Sequence, residues 1–151
     1  MPPREIIVNR ATMADLDCLV PLFDEYRRFY RQPADPEGAR RFLSERMENG
    51  QSVIFLAFDG AVALGFTQLY PSFSSGAMAP VLILNDLFVA SQSRRRGVGS
   101  ALLRTAAHYG RSAGAIRLVL STEIANTTAQ SLYERTGWKR DTVFCVYQLA
   151  L

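Results

Sequence analysis

Apolar positions along the 151-residue chain alternate between the two-residue period of strands and the three-to-four-residue period of helices. Glu5 to Arg10 reads as a first strand. Thr12-Met-Ala-Asp15 has the form of a capping box and opens a helix along which Leu16, Leu19, Val20, Phe23, Arg27 and Tyr30 recur on one side. Asp35-Pro36 starts a second helix, with Asp as cap and Pro in its first turn; Phe42, Leu43 and Met47 supply its apolar face, and Asn49-Gly50 ends it. Ser52 to Phe58 and Ala61 to Tyr70 are β-rich runs joined by Asp59-Gly60, a strong hairpin signal. Pro71 to Ala79, rich in Ser, Gly and Pro, reads as a loop, and Val81 to Val89 as another strand. A helix after Gly97 places Val98, Ala101, Leu102, Thr105, Ala106 and Tyr109 on one face. Ile116 to Ser121 reads as a strand, Asn126 caps a helix running to Thr136, and Val143 to Leu149 reads as a final strand.

The order is β-α-α-β-β-β-α-β-α-β. Early hairpins demand antiparallel pairs, whereas the late strand-helix-strand demands a parallel crossover. A mixed α/β sheet with helices on its faces is expected, in a single domain over 1–151, since no repeat or linker interrupts the chain.

Composition fits such a domain. Hydrophobic residues make up 48% of the chain and the net charge is only +3, which excludes a disordered polyion. No apolar stretch is long enough to span a membrane, and the N-terminus breaks its apolar run too early for a secretory signal. Cys18 and Cys145 lie far apart and form no metal or disulfide motif, so a cytoplasmic, reduced protein without metal is expected. Lys139 is the single lysine among 17 basic residues, and arginine suits phosphate recognition.

The chemistry starts at Arg94-Arg95-Arg96-Gly97-Val98-Gly99-Ser100, between a strand and a helix. Two glycines let backbone N–H groups turn toward a ligand, and the helix N-terminus behind them favours an anion. The loop fits a diphosphate held by main-chain donors. A dinucleotide fold would need G-x-G-x-x-G early in a βαβ unit, and Walker A needs G-x-x-x-x-G-K-S/T; neither is present.

Arg94-x-x-Gly97-x-Gly99 resembles the acetyl-CoA pyrophosphate motif of the GNAT superfamily of N-acetyltransferases, and Asn126-x-x-Ala129-x-x-Leu132-Tyr133-x-x-x-Gly137-Trp138 resembles that family's downstream segment. Leu84-Asn85-Asp86-Leu87-Phe88-Val89 is further similar to the subgroup with histone, polyamine and D-amino-acid acetyltransferases. The resemblance implies a largely antiparallel twisted sheet of about six to seven strands flanked by about four helices. It implies acetyl-CoA as donor co-substrate, its pantetheine arm pairing with Leu87, Phe88 and Val89. Arg94, Arg95, Arg96, Gly97, Val98, Gly99 and Ser100 would line the diphosphate, Asn126 and Ala129 would add contacts, and Tyr133 would protonate the departing thiolate. A main-chain N–H near Leu87 can polarise the thioester carbonyl.

Direct transfer to a primary amine also needs a base. Asn85 stands where some relatives place glutamate, and an amide cannot take a proton. Asp86 is adjacent, but strand alternation turns it to the other face unless a bulge re-aims it. It can act as base through a water, hold a cationic substrate, or satisfy the sheet. Glu123 is a second candidate. Tyr26 and Tyr30, with Phe29, suit an aromatic wall over an amine, with Asn85 and Asp86 beside it; Tyr70-Pro-Ser-Phe73 suits an opposite wall. His108 lacks partners for catalysis, Cys145 reads as a small buried hydrophobe, and the arginine runs at 27–31 and 40–41 read as solvated faces.

A small-molecule amine (polyamine, amino acid or aminated metabolite) is the expected acceptor, with no nucleic acid and no membrane as partner. A protein lysine or N-terminal acceptor and an inactive acyl-CoA-binding module are the competing readings. The family resemblance also suggests a homodimer, for which Phe144 to Leu149 is a candidate strand.

Overall fold

The computed structural model describes residues 4–151; the first three residues of the N-terminal stretch weighed as a leader lie outside them. The chain forms two compact units, one ending at Ser121 and the other spanning Thr122–Leu151. Among the described residues no helix is long and apolar enough to cross a membrane.

In the first unit, β1 (Ile7–Arg10) leads through a 3-10 turn at Met13–Asp15 into α1 (Leu16–Phe29) and α2 (Pro36–Glu48). The Thr12 N–H donates to Asp15 Oδ2 at 2.7 Å, and Asp35 Oδ1 accepts from the Gly38 N–H at 2.9 Å, so both expected caps form. The hairpin strands β2 (Val53–Asp59) and β3 (Val62–Ser74) follow, then β4 (Ala79–Val89), α3 (Val98–Ser112) and β5 (Leu118–Val119). Pairing runs β1-β2-β3-β4-β5, antiparallel except for β4 with β5.

The mixed α/β class stands as expected, with three corrections. Five strands form among the described residues rather than six or seven. The stretch Pro71 to Ala79 is mostly strand: Pro71 pairs with Leu82 and Ser74 with Ala79, leaving a short turn at 75–78. Pro71 is tolerated because β2 pairs only as far as Leu69, so its missing donor removes no ladder bond to β2. Val143 to Leu149 is not a strand; these residues make no ladder, and Val143, Phe144, Val146, Tyr147 and Leu149 are exposed. A run of apolar, β-prone residues makes a strand possible, but only a partner edge makes one. Cys145 is exposed with them, not buried.

The helices cover both faces of the sheet. On one side Phe23 and Tyr26 of α1 meet Phe66, and Tyr26 and Phe29 meet Phe88. Leu19, Leu43, Leu56 and Phe66 are fully enclosed there, each contributing about 2 kcal/mol by leaving water. On the other side Tyr109 of α3 packs edge-on against Phe55, and Gly110 lies against Leu82 and Leu118. The second unit contains α4 (Thr127–Arg135), capped by Asn126, whose side chain accepts from the Ala129 N–H at 3.1 Å.

Candidate active site

Two features of β4 prepare a site. The first is its outer edge. β4 pairs with β5 only at Leu82–Leu118 and Ile83–Val119, so Leu84–Val89 has no ladder partner on that side among the described residues. Leu87, Phe88 and Val89 therefore offer an open edge of the kind that takes an extended, amide-bearing ligand by strand addition.

The second is a bulge. Gln68 pairs with Asp86 and Leu69 with Leu84, so Asn85 is an extra residue with no partner across the hairpin. Leu84 and Asp86, two apart, would otherwise share a face. With the insertion, Asp86 joins Gln68 on the face that also carries Phe66 and Phe88, beneath α1. The exception to simple alternation is thus the arrangement that forms.

Asp86 is 2% exposed and Gln68 wholly enclosed. The Gln68 Nε2 group donates to Asp86 Oδ2 through a short bond, and Asn85 Nδ2 donates to Asp86 Oδ1 at 2.8 Å. The Tyr26 hydroxyl donates to the Asn85 carbonyl at 3.4 Å and also reaches the Asp86 carboxylate. Burial pushes the Asp86 carboxyl above the usual range, while donors from Asn85, Gln68 and Tyr26 pull it back. Burial, then the negative charge of Asp86, raises the hydroxyls of both Tyr26 and Tyr70. Both therefore remain protonated donors at neutral pH.

Aromatic rings wall this cluster. Tyr26 meets Tyr30 edge-on at 5.0 Å, and Phe29 meets Tyr30 at 5.2 Å. Buried Asp24 fixes the turn that follows: it accepts from the Asp35 N–H at 2.8 Å and holds Arg28, while Arg27 reaches the Pro33 carbonyl at 2.9 Å. Arg27 and Arg28 thus serve this turn rather than standing as a merely solvated face. Tyr70 contributes from within β3, not from a loop.

The glycine loop lies between β4 and α3. Gly97, at the α3 N-cap, has φ +79°, a left-handed conformation that glycine adopts freely. No side chain caps α3, leaving first-turn N–H groups of Val98, Gly99 and Ser100 for an anion. Of the three arginines, Arg94 donates to the Val89 carbonyl at 3.3 Å and stands 5.9 Å from the Phe29 ring. Arg96 pairs with Asp59 at 2.9 Å, and Arg95 is exposed.

The structure therefore brings together Tyr26, Tyr30, Asn85 and Asp86, with Leu87, Phe88 and Val89 continuing the same strand. Asn126, Ala129 and Tyr133 lie in the second unit, where Tyr133 is half-buried on α4 and its ring is 6.1 Å from that of Trp138. Glu123 is exposed just before α4. Sequence reasoning missed Gln68 and Asp24. The available signal for Gln68 is a polar residue, beside Thr67, within an otherwise apolar strand run.

The profile of the Acetyltransferase (GNAT) family matches residues 19–138. An uncharacterised N-acetyltransferase of Bacillus subtilis (strain 168), YhfO, is 46% identical over 142 residues, 94% of this chain and 95% of the relative. The D-amino-acid N-acetyltransferase HPA3 of Saccharomyces cerevisiae is 27% identical, over 91% of this chain and 88% of its own. A crystal structure of a probable acetyltransferase, 42% identical, superposes with a TM-score of 0.91 over 96% of this chain and 97% of that one. With the family profile spanning most of the sequence and YhfO aligned along nearly its whole length, the chain belongs to the GNAT family and is an acetyltransferase.

Proposed function

We propose that this protein, as one N-acetyltransferase domain, transfers acetyl from acetyl-CoA directly to the primary amine of a small molecule. The observation that carries this reading is the enclosed carboxylate of Asp86, set among Tyr26, Tyr70 and Gln68 beside an open strand edge. Such a group suits proton removal, because burial raises its pKa and makes it a stronger base than a solvated carboxylate. The amino-acid acceptor named for the yeast relative favours a small amine over a protein.

Acetyl-CoA is the natural occupant of the open edge and glycine loop. Leu87, Phe88 and Val89 pair with its amide-bearing arm, and the Leu87 N–H polarises the thioester carbonyl. Gly97, Val98, Gly99 and Ser100 hold the diphosphate by main-chain N–H groups, with Arg94, Arg95 and Arg96 as the surrounding cations. Asn126 and Ala129 are carried over as further contacts. Their N–H and carboxamide already pair in the α4 cap, so their remaining atoms are the ones that serve.

Tyr26 and Tyr30 flank the acceptor, and Asn85 and Asp86 form its polar end. Asp86 is too enclosed to touch an ammonium, so it takes the proton through a water. One N–H bond of the ammonium breaks, an O–H bond forms on the carboxyl, and the neutral amine attacks. Tyr133 gives its hydroxyl proton to the departing sulfur and regains one from the nitrogen as the amide forms. Asp86 then releases its proton to solvent, so the reaction yields amide, thiol and one proton. The exposed apolar residues of 143–149 support self-pairing as a homodimer.

The test is release of coenzyme A thiol from acetyl-CoA with a panel of amino acids, polyamines and lysine peptides. Turnover with at least one small amine and none with peptides is the expected result. Tight binding without release from any amine would favour an acyl-CoA-binding module instead.

A further inference from the structure

Gln68 sits in the middle of β3 and is wholly enclosed, yet its amide is only half satisfied. The Nε2 group donates to Asp86 Oδ2, whereas Oε1 is buried without a hydrogen-bond partner among the described residues. A glutamine kept in a core for packing has both ends bonded, because an orphaned carbonyl oxygen is costly. Here the one bonded end is the end that meets the carboxylate.

The backbone reinforces this pairing. Thr67 Oγ1 donates to the Asp86 carbonyl at 2.8 Å, and the bulge at Asn85 puts Gln68 directly across from Asp86. Asp86 is thus held from β3 at both its main chain and its side chain. Gln68 Nε2 takes one oxygen and Asn85 Nδ2 the other. Asn85 is on the exposed side of the strand and can be displaced by an incoming acceptor; Gln68 cannot move without opening the core.

We propose that Gln68 is a positioning residue for the base: it fixes the orientation of Asp86 and, by donating to Oδ2, holds the carboxylate in its charged, proton-accepting form. This rests on the reading of Asp86 as base. The charged and titratable groups facing the cluster are Tyr26, with Tyr30 behind it, from α1 and Tyr70 from β3; Arg46 from α2 acts through Tyr70. Both tyrosines next to Asp86 stay neutral across the working pH range, so a donor removed at Gln68 is not replaced by a new charge.

A hydrogen bond donated to the charged form lowers a carboxyl pKa, so its loss raises it. Gln68→Met keeps the volume and removes the donor. The acid limb of kcat/KM for the amine should move up by about one pH unit, lowering kcat/KM about tenfold below that limb and little above it. KM for acetyl-CoA should not change. A purely structural role would instead depress kcat at every pH. Gln68→Glu, of the same shape, should move the limb further, because a second carboxylate then shares the proton.

Asp86→Asn, measured alongside, separates this inference from the reading beneath it. If that variant loses the limb while both Gln68 variants leave it in place, Gln68 has no positioning role and Asp86 remains the base. If Asp86→Asn retains the limb, both assignments fall. Should circular dichroism show that neither Gln68 variant folds, the residue serves the core and the proposal is overturned.

Discussion

The Asp86 cluster and the glycine loop lie at two ends of one stretch of chain, and they are built on opposite principles. Around Asp86 the work is done by side chains. An enclosed carboxylate is bonded by Gln68 and Asn85 and overlain by Tyr26. At the loop it is done by main chain: Gly97 is left-handed, α3 begins without a side-chain cap, and two of the three arginine side chains are engaged by neighbouring groups. Arg96 is engaged by Asp59, and Arg94 by Val89 and Phe29. Identity therefore matters most in the first region and conformation in the second.

Substitutions can break that contrast. The largest effect is expected at Asp86. Asp86→Asn leaves the size intact but cannot accept the proton, so kcat should fall about 10³-fold with KM for acetyl-CoA little changed. Because burial raises the carboxyl pKa, wild-type activity should decline as pH falls through a limb above the ordinary carboxylate range, and the variant should lack it. Steady-state rates across pH check both points, and a kcat within a few-fold of wild type would remove Asp86 from the chemistry.

A smaller effect is expected at Gly97. Gly97→Val forces a β-branched residue into φ near +79°, a strain of about 1–2 kcal/mol. KM for acetyl-CoA should rise about tenfold while kcat at saturation is nearly kept. The reverse split, kcat lost and KM kept, would mean that the loop contributes to the chemical step rather than to holding the donor.

The smallest is expected at Arg96, whose ion pair with Asp59 is partly exposed. Arg96→Ala should change acetyl-CoA affinity by less than about twofold at physiological salt, as titration calorimetry would show. A tenfold loss would make the loop side chains as important as its backbone and erase the contrast.

Much of this was legible in the chain because it is local. The Asp35-Pro36 start, the Asp59-Gly60 turn and the Asn126 cap each lie within a few residues of what they control, and all three form. The glycine loop was legible for the same reason. What escaped depends on distant partners. The β3–β4 hairpin runs through Pro71 to Ala79, because cross-strand pairs override a composition that argues for a loop. Residues 143–149 form the apolar, β-rich run expected of a strand but pair with no neighbouring edge among the described residues. Gln68 was invisible because its meaning comes from a register 18 residues away.

The single inserted residue in β4 has a consequence for anyone transplanting this chemistry. Copying Leu84 to Val89 whole, Asn85 included, onto a hairpin of regular register would rotate the carboxylate to the wrong surface, beside the leucine two positions earlier. What must be carried across is an irregularity in counting. Removing Asn85 altogether would instead let Leu84 and Asp86 keep Leu69 and Gln68 as partners in regular register, at the loss of the amide that bonds Asp86 Oδ1.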